Sequence, residues 1–132
     1  ASEYRSLEEA LAAYGVDPSG CPTWVPEDYA LYNVSVQDND AGQKFVALYV
    51  SERGEMYIRA TQFEDDSSIN LEKEVGGYTY TLNHIEFDIV ENNGSANITW
   101  LIDSNLYTIT GSLESEEILN MLDSIPFAQE ET

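Results

Sequence analysis

Ile85-Glu86-Phe87-Asp88-Ile89-Val90-Glu91-Asn92-Asn93-Gly94-Ser95-Ala96-Asn97-Ile98-Thr99-Trp100-Leu101-Ile102 decides how the whole chain is read. Ile85, Phe87 and Ile89 alternate with polar residues before the centre, and Ile98, Trp100 and Ile102 alternate after it. A period of two is the mark of a strand with one buried face. Between them Asn93-Gly94 supplies two residues that tolerate the positive φ of a tight two-residue turn, so the segment predicts an antiparallel hairpin.

Working outward, the same alternation recurs. Toward the C-terminus, Asp103-Ser104-Asn105 turns the chain into Leu106 to Gly111, which carries Tyr107 and Ile109. Before the hairpin, Gly76-Gly77 precedes a short strand with Tyr78, Tyr80 and Leu82. Further back, Tyr29 to Val36 places Ala30, Tyr32, Val34 and Val36 on one face. The turn Asp38-Asn39-Asp40-Ala41-Gly42 leads to Phe45 to Val50, and Ser51-Glu52-Arg53-Gly54 leads to Met56 to Phe63, which together read as a meander. The polar stretch Glu64 to Glu74 reads as an exposed loop, with Ile69 and Leu71 able to pin it. The expectation is an α+β fold: a curved antiparallel sheet of about six to seven strands over residues 29–111, with a helix near each end packed on it.

Both helices have start and stop signals. Ser6-Leu7-Glu8-Glu9 is a capping box, in which hydroxyl and carboxylate each satisfy a backbone donor that the first turn leaves orphaned. Leu7, Ala10, Leu11 and Tyr14 follow at helical spacing and Gly15 stops the run, giving a helix over 6–14. Residues 16–28 are a connector punctuated by Pro18, Gly20, Pro22 and Pro26. The C-terminal helix, over 113–125, is expected to be capped by Ser112 or Ser115, with Glu116 and Glu117 at its positive end and Pro126 ending it. Its stripe of Ile118, Met121, Leu122 and Ile125 is worth about 6–12 kcal/mol of burial before entropy, at roughly 1.5–3 each. All of 1–132 is read as a single domain.

Composition narrows the function classes. Hydrophobic residues make up 42% of the chain, with nine tyrosines, enough to build a core and too much for a disordered acidic tail. Twenty-five acidic residues face five basic ones, a formal charge of −20. Nucleic-acid backbones and anionic membrane surfaces are bound through clustered cations, so direct binding to either is excluded as an expectation. The longest unbroken apolar run, Phe45 to Val50, is far shorter than the about twenty residues a membrane helix needs.

A search for chemistry assigns no catalytic, cofactor or metal residue. His84 is the sole histidine and Cys21 the sole cysteine. No nucleophile signature accompanies either, so His84 reads as part of a strand turn and Cys21 as a small core residue. Asp38, Asp40 and Gly42 resemble a fragment of a calcium loop, but the third ligand position and the closing Glu are missing, and a hairpin turn explains them better. Glu64-Asp65-Asp66 reads as a solvated loop. With so many carboxylates in the chain, a suitably spaced pair carries no information about glycoside hydrolysis. Asn33-Val34-Ser35 and Asn97-Ile98-Thr99 match glycosylation acceptors inside expected strands. No phosphate-cradling glycine motif occurs, Gly76-Gly77 being an isolated pair.

Two segments carry a family likeness: Pro22-Thr23-Trp24-Val25-Pro26-Glu27-Asp28-Tyr29-Ala30-Leu31, and the run from Ile98-Thr99-Trp100 through Tyr107-Thr108-Ile109-Thr110-Gly111 to Glu116-Glu117-Ile118 and Ser124-Ile125. The pattern resembles the uncharacterised extracytoplasmic C-terminal domain of anti-sigma-factor-like, membrane-anchored proteins of Gram-positive bacteria, the Firmicutes, over most of residues 22–125. Asp28 departs from it, standing where the family usually carries Gly. The shared residues read as structural, with Trp24, Tyr29 and Trp100 in the core. The resemblance implies a bacterial cell-envelope location, tethering by a segment N-terminal to this one, as in a lipoprotein, and a non-enzymatic sensing or binding role. The expected partner is an unspecified protein or small molecule, with membrane contact only through that anchor. Two other functions fit the residues: a carrier of a small apolar ligand or lipid, since a sheet covered by a helix can enclose a pocket, and an acidic inhibitor that mimics a nucleic acid.

Overall fold

The computed structural model describes residues 4–39, 42–63 and 77–127. Seven strands run in the order of the chain: β1 (Ala30–Asn39), β2 (Gly42–Ser51), β3 (Gly54–Phe63), β4 (Tyr78–Leu82), β5 (Ile85–Asn92), β6 (Ser95–Ile102) and β7 (Asn105–Ser112). Helix α1 (Leu7–Ala13) precedes them, followed by a 3₁₀ turn at Pro18–Gly20, and α2 (Ser115–Asp123) closes the chain. The strands form one open antiparallel sheet in the order β1-β2-β3-β7-β6-β5-β4. Two meanders, β1 to β3 and β4 to β7, are thus joined edge to edge at the β3–β7 pair.

Turn chemistry drives the pairing. Asn93 (φ 53°) and Gly94 (φ 82°) both adopt the left-handed conformation of a two-residue hairpin. Asn83 (φ 53°) and His84 (φ 66°) do the same between β4 and β5. The strands run longer than the apolar alternation alone predicts, because polar residues at hairpin ends such as Asn92, paired with Ser95, continue the ladder.

Register lines the alternating residues into two rows on the covered face. One row is Val36, Phe45, Ala60, Tyr107 and Trp100, and Phe87 and Tyr80 extend it on the next two strands. Within it Trp100 stacks on Tyr107 with ring centroids 5.4 Å apart, and Phe87 sits 5.1 Å from Trp100. The second row, Val34, Ala47, Ile58, Ile109, Ile98, Ile89 and Tyr78, crosses all seven strands and is aliphatic up to its last member. Both helices contribute to the same core, α1 through Leu7, Ala10 and Leu11, and α2 through Ile118, Met121 and Leu122. Tyr14 meets Phe45 edge-on at 5.5 Å and closes the aromatic row at the α1 side. The opposite face of the sheet carries Thr61, Thr79, Thr81, Thr99, Thr108 and Thr110, as the pairing and alternation require.

Several local expectations need correction. Tyr32 does not share a face with Val34: the register shifts between Leu31 and Asn33, and this bulge turns Tyr32 outward at 71% exposure. The cap of α2 is neither Ser112 nor Ser115. Ser112 still pairs in β7, and the Ser115 hydroxyl donates to Glu91. Glu114 takes the cap position, and its N–H donates to Glu117 Oε1 at 3.0 Å. The capping of α1 does follow the sequence, with Ser6 Oγ accepting from the Glu9 N–H at 3.1 Å, although the helix ends at Ala13 with Tyr14 as its cap. Trp24 is 37% exposed and stands outside the core, unlike Tyr29 and Trp100. No helix among the described residues is long and apolar enough to cross a membrane.

Candidate functional site

The aromatic row ends in a cleft. Asn105 belongs to the alternation of Tyr107, Ile109 and Gly111, so its side chain emerges on the covered face at the end of the sheet where the β4–β5 and β6–β7 turns lie. Ile85 and Ile102 flank it with apolar surface. The 3₁₀ turn crosses above, positioned by Asp17, whose Oδ1 accepts from the Ser19 N–H at 2.9 Å with Pro18 in the first helical position. Trp100 anchors this turn to the sheet by donating its indole N–H to the Gly20 carbonyl at 3.3 Å. The chain after α2 supplies the last wall, because the Phe127 N–H donates to the Ser19 carbonyl at 2.8 Å.

The cleft holds about 240 Å³ and is lined by Asp17, Ser19, Gly20, Asn83, Ile85, Ile102, Asp103, Asn105, Tyr107 and Phe127. No lining residue is basic. Its polar groups lean toward accepting hydrogen bonds: two carboxylates, two amides and two hydroxyls. Asn105 Oδ1 exposes less than 1 Å² and meets no donor, whereas buried polar atoms are nearly always paired. The Tyr107 hydroxyl is held protonated well above its ordinary range, first by burial and then by the nearby Cys21, Asp17 and Asp103. A Cβ at Gly20 would lie 2.9 Å from both Ile102 Cδ1 and Tyr107 Oη, so a side chain there fits only if those tips give way.

A second polar cluster lies at the other end of the sheet. Arg53, in the β2–β3 turn, donates through Nε and Nη2 to Asp28 at 2.9 and 2.7 Å, and through Nη1 and Nη2 to Glu117 at 2.7 and 3.0 Å. Its guanidinium lies 4.8 Å over the Tyr29 ring, and the Tyr29 hydroxyl donates to the Ser112 carbonyl at 2.8 Å. The hydrogen bonds to Arg53 hold both carboxyls below their ordinary range. This clamp ties the connector and α2 to the sheet. Asp28 is therefore an ion-pairing residue.

The residues singled out from sequence are scattered. Cys21 is fully buried, and its thiol is pushed up by burial and by Glu8. His84 is exposed at its turn, whereas Cys21 is buried in the core. Asp38 pairs with Gln43 and Asn39 with Gly42 where β1 meets β2, and Asp40 lies outside the described residues. Glu64-Asp65-Asp66 also lies outside them. Asn33 sits within β1, and Asn97 within β6, where its Oδ1 accepts from the Thr110 hydroxyl at 2.8 Å. Among the described residues, no three His, Cys, Asp or Glu side chains gather as a metal site. The cleft residues were missed because Asp17, Asp103 and Asn105 read in sequence only as turn formers, and nothing local says that their turns converge.

A family model described as "Domain of unknown function (DUF4367)" matches residues 20–125. No curated protein matches the chain. Among solved structures, a GTP-binding regulator from Thermotoga maritima is similar over 95% of this chain and 90% of its own, with a TM-score of 0.55 at 18% identity, a likeness of fold. Seven of the ten cleft residues fall within the matched span, while Asp17, Ser19 and Phe127 lie just outside it.

Proposed function

The chain belongs to the DUF4367 family of domains of unknown function, and from that premise we propose that it is a non-enzymatic binding and sensing domain, displayed outside the cytoplasm by an anti-sigma-factor-like regulatory protein or lipoprotein of the bacterial cell envelope. The observation that carries the binding role is the cleft, in which carboxylates, amides and hydroxyls stand beside the apolar side chains of Ile85, Ile102 and Phe127. Such mixed concave sites are the usual form of small-molecule sites. The core beside it is filled by Trp100, Tyr107 and Phe87, which favours this reading over a lipid carrier. The envelope location rests on the residue pattern of 22–31 and 98–125.

GTP, which the Thermotoga maritima structure's name attributes to that protein, does not suit this cleft. Its phosphates would face Asp17 and Asp103 with no basic side chain to offset them.

Two measurements test the proposal. A screen of small metabolites by NMR should shift backbone amides at residues 17–20, 83–85, 102–107 and 127; shifts confined to other regions would reject the cleft as the site. Alkaline phosphatase fused after residue 132 of the full gene product should be active in the native host, and an inactive fusion would reject the location.

A further inference from the structure

The face of the sheet away from the helices has its own rows, and their charge sets it apart from the rest of this acidic chain. One row runs through Val46, Arg59, Thr108, Thr99 and Asp88. The next runs through Lys44, Thr61, Leu106 and Leu101, and Glu86 stands level with it, two residues before Asp88. Both helices pack on the other face through the core, and none of these row residues is buried. In a chain with five basic and twenty-five acidic residues, this face is balanced: Lys44 and Arg59 lie on β2 and β3, while Glu86 and Asp88 lie on β5. Between the two pairs runs β7, the middle strand of the sheet.

We infer that this face is the contact surface for a second copy of the chain, in a two-fold dimer whose axis lies along β7. Rotation about that axis lays β2 of one copy over β5 of the other, and β3 over β6. Rows keep their level, so Lys44 meets Glu86 of the second copy and Glu86 meets its Lys44, the reciprocal pairing of an isologous interface. Arg59 lands one strand from Asp88 of the second copy, a lateral step of about 4.8 Å that its long side chain spans. Apolar residues meet as well. Leu106 lies on the axis against its own counterpart, and Leu48 faces Val90, the two being level through Tyr57, Thr110 and Asn97.

The area suffices. Seven strands about 4.8 Å apart and three rows about 6.8 Å apart span roughly 700 Å², close to the about 800 Å² that each partner contributes to a standard interface. Aligned packing of two sheet faces is an ordinary way for sheets to join. A chain of formal charge −20 repels its own kind, and on this face the charges of two copies cancel in pairs.

Sedimentation equilibrium of the whole chain at about 0.15 M ionic strength tests the inference, and a reversible monomer–dimer equilibrium is expected between roughly micromolar and millimolar concentration. Lys44→Glu and Glu86→Lys should each weaken the dimer by roughly tenfold or more, because each sets like charges opposite one another. The double variant carrying both substitutions, and an equimolar mixture of the two single variants, should dimerise as wild type does, since both arrangements put opposite charges face to face again. The double variant also keeps the wild-type net charge, so its recovery separates pairing from bulk charge and shows that the surface tolerates the exchange. A chain that stays monomeric at millimolar concentration would overturn the inference. So would a dimer indifferent to both single substitutions, which would join through another surface such as the β4 edge. Tightening by Glu86→Lys, or no recovery in either the double variant or the mixture, would mean that net charge alone governs association and would overturn it too.

Discussion

Replacing Gly111 by alanine tests how tightly the two meanders are joined. A methyl carbon built there stands 2.9 Å from both Cβ and Cγ of Met56 and 3.0 Å from its Cα, where carbon contacts prefer about 3.5–4.0 Å. Rotating Met56 relieves only the Cγ contact. The other two atoms are fixed to the backbone of β3, which pairs with β7 at the adjacent Tyr57–Thr110 position, so relief requires the strands to shift. Overpacking of this kind costs about 1–3 kcal/mol, and alanine's lower unfolded entropy returns about 0.4–1 kcal/mol. The net loss of about 1–2 kcal/mol should lower Tm by about 3–10 °C for a chain of this size, read by circular dichroism and checked by urea unfolding. Gly20→Ala is the control, because its new methyl meets the tips of Ile102 and Tyr107 at the open cleft. It should lose clearly less. A Gly111→Ala protein that melts at the wild-type temperature, or no lower than Gly20→Ala, would refute the reasoning.

Three further outcomes follow from the packing and charge. Leu122→Asp places a carboxylate at a fully buried position of α2, removing about 1.5–3 kcal/mol of burial and adding an unpaired buried charge; the domain should unfold or release the helix, and an unchanged Tm would refute the docking. Glu117, held low by Arg53, contributes stability that is present above its ordinary value of 4.5 and is lost as pH falls through the lowered one. Glu117→Gln should therefore melt below wild type at pH 7 and converge with it as the pH falls through that lowered value, whereas a gap that holds or widens in acid would contradict the clamp. Twenty-five acidic residues face five basic ones, so carboxylates repel one another across the surface, and Tm should rise between about 0.01 and 0.5 M NaCl as the Debye length drops from roughly 30 Å to a few Å. A flat or falling curve would show that the charges are already balanced locally.

What could be read from sequence was what short-range physics controls. Asn93-Gly94 prescribes its turn because two adjacent residues accept positive φ, and the Ser6 cap and the Ile118 stripe work within one or two helical turns. Where a local rule met a tertiary exception, the reading slipped. Tyr32 alternates correctly with Val34 in the sequence, but one bulge residue reverses its face. Trp24 has the composition of a core residue, yet its segment is held at the surface by hydrogen bonds of the Thr23 and Trp24 N–H groups to Ser124 Oγ.

The amino-acid sequence by itself determined that this chain builds an antiparallel sheet with one apolar face and a helix near each end, since alternation, turn residues and helical stripes are properties of neighbours. The tertiary structure alone decided that β3 lies beside β7, that Arg53 joins Asp28 to Glu117, and that a cleft with an unmet acceptor forms under the connector. Those contacts link residues as far apart as Ser19 and Phe127, near opposite ends of the chain. Which distant partner each residue takes is set by how the rows of side chains fill the space between sheet and helices, and that competition leaves no mark on any local stretch of sequence.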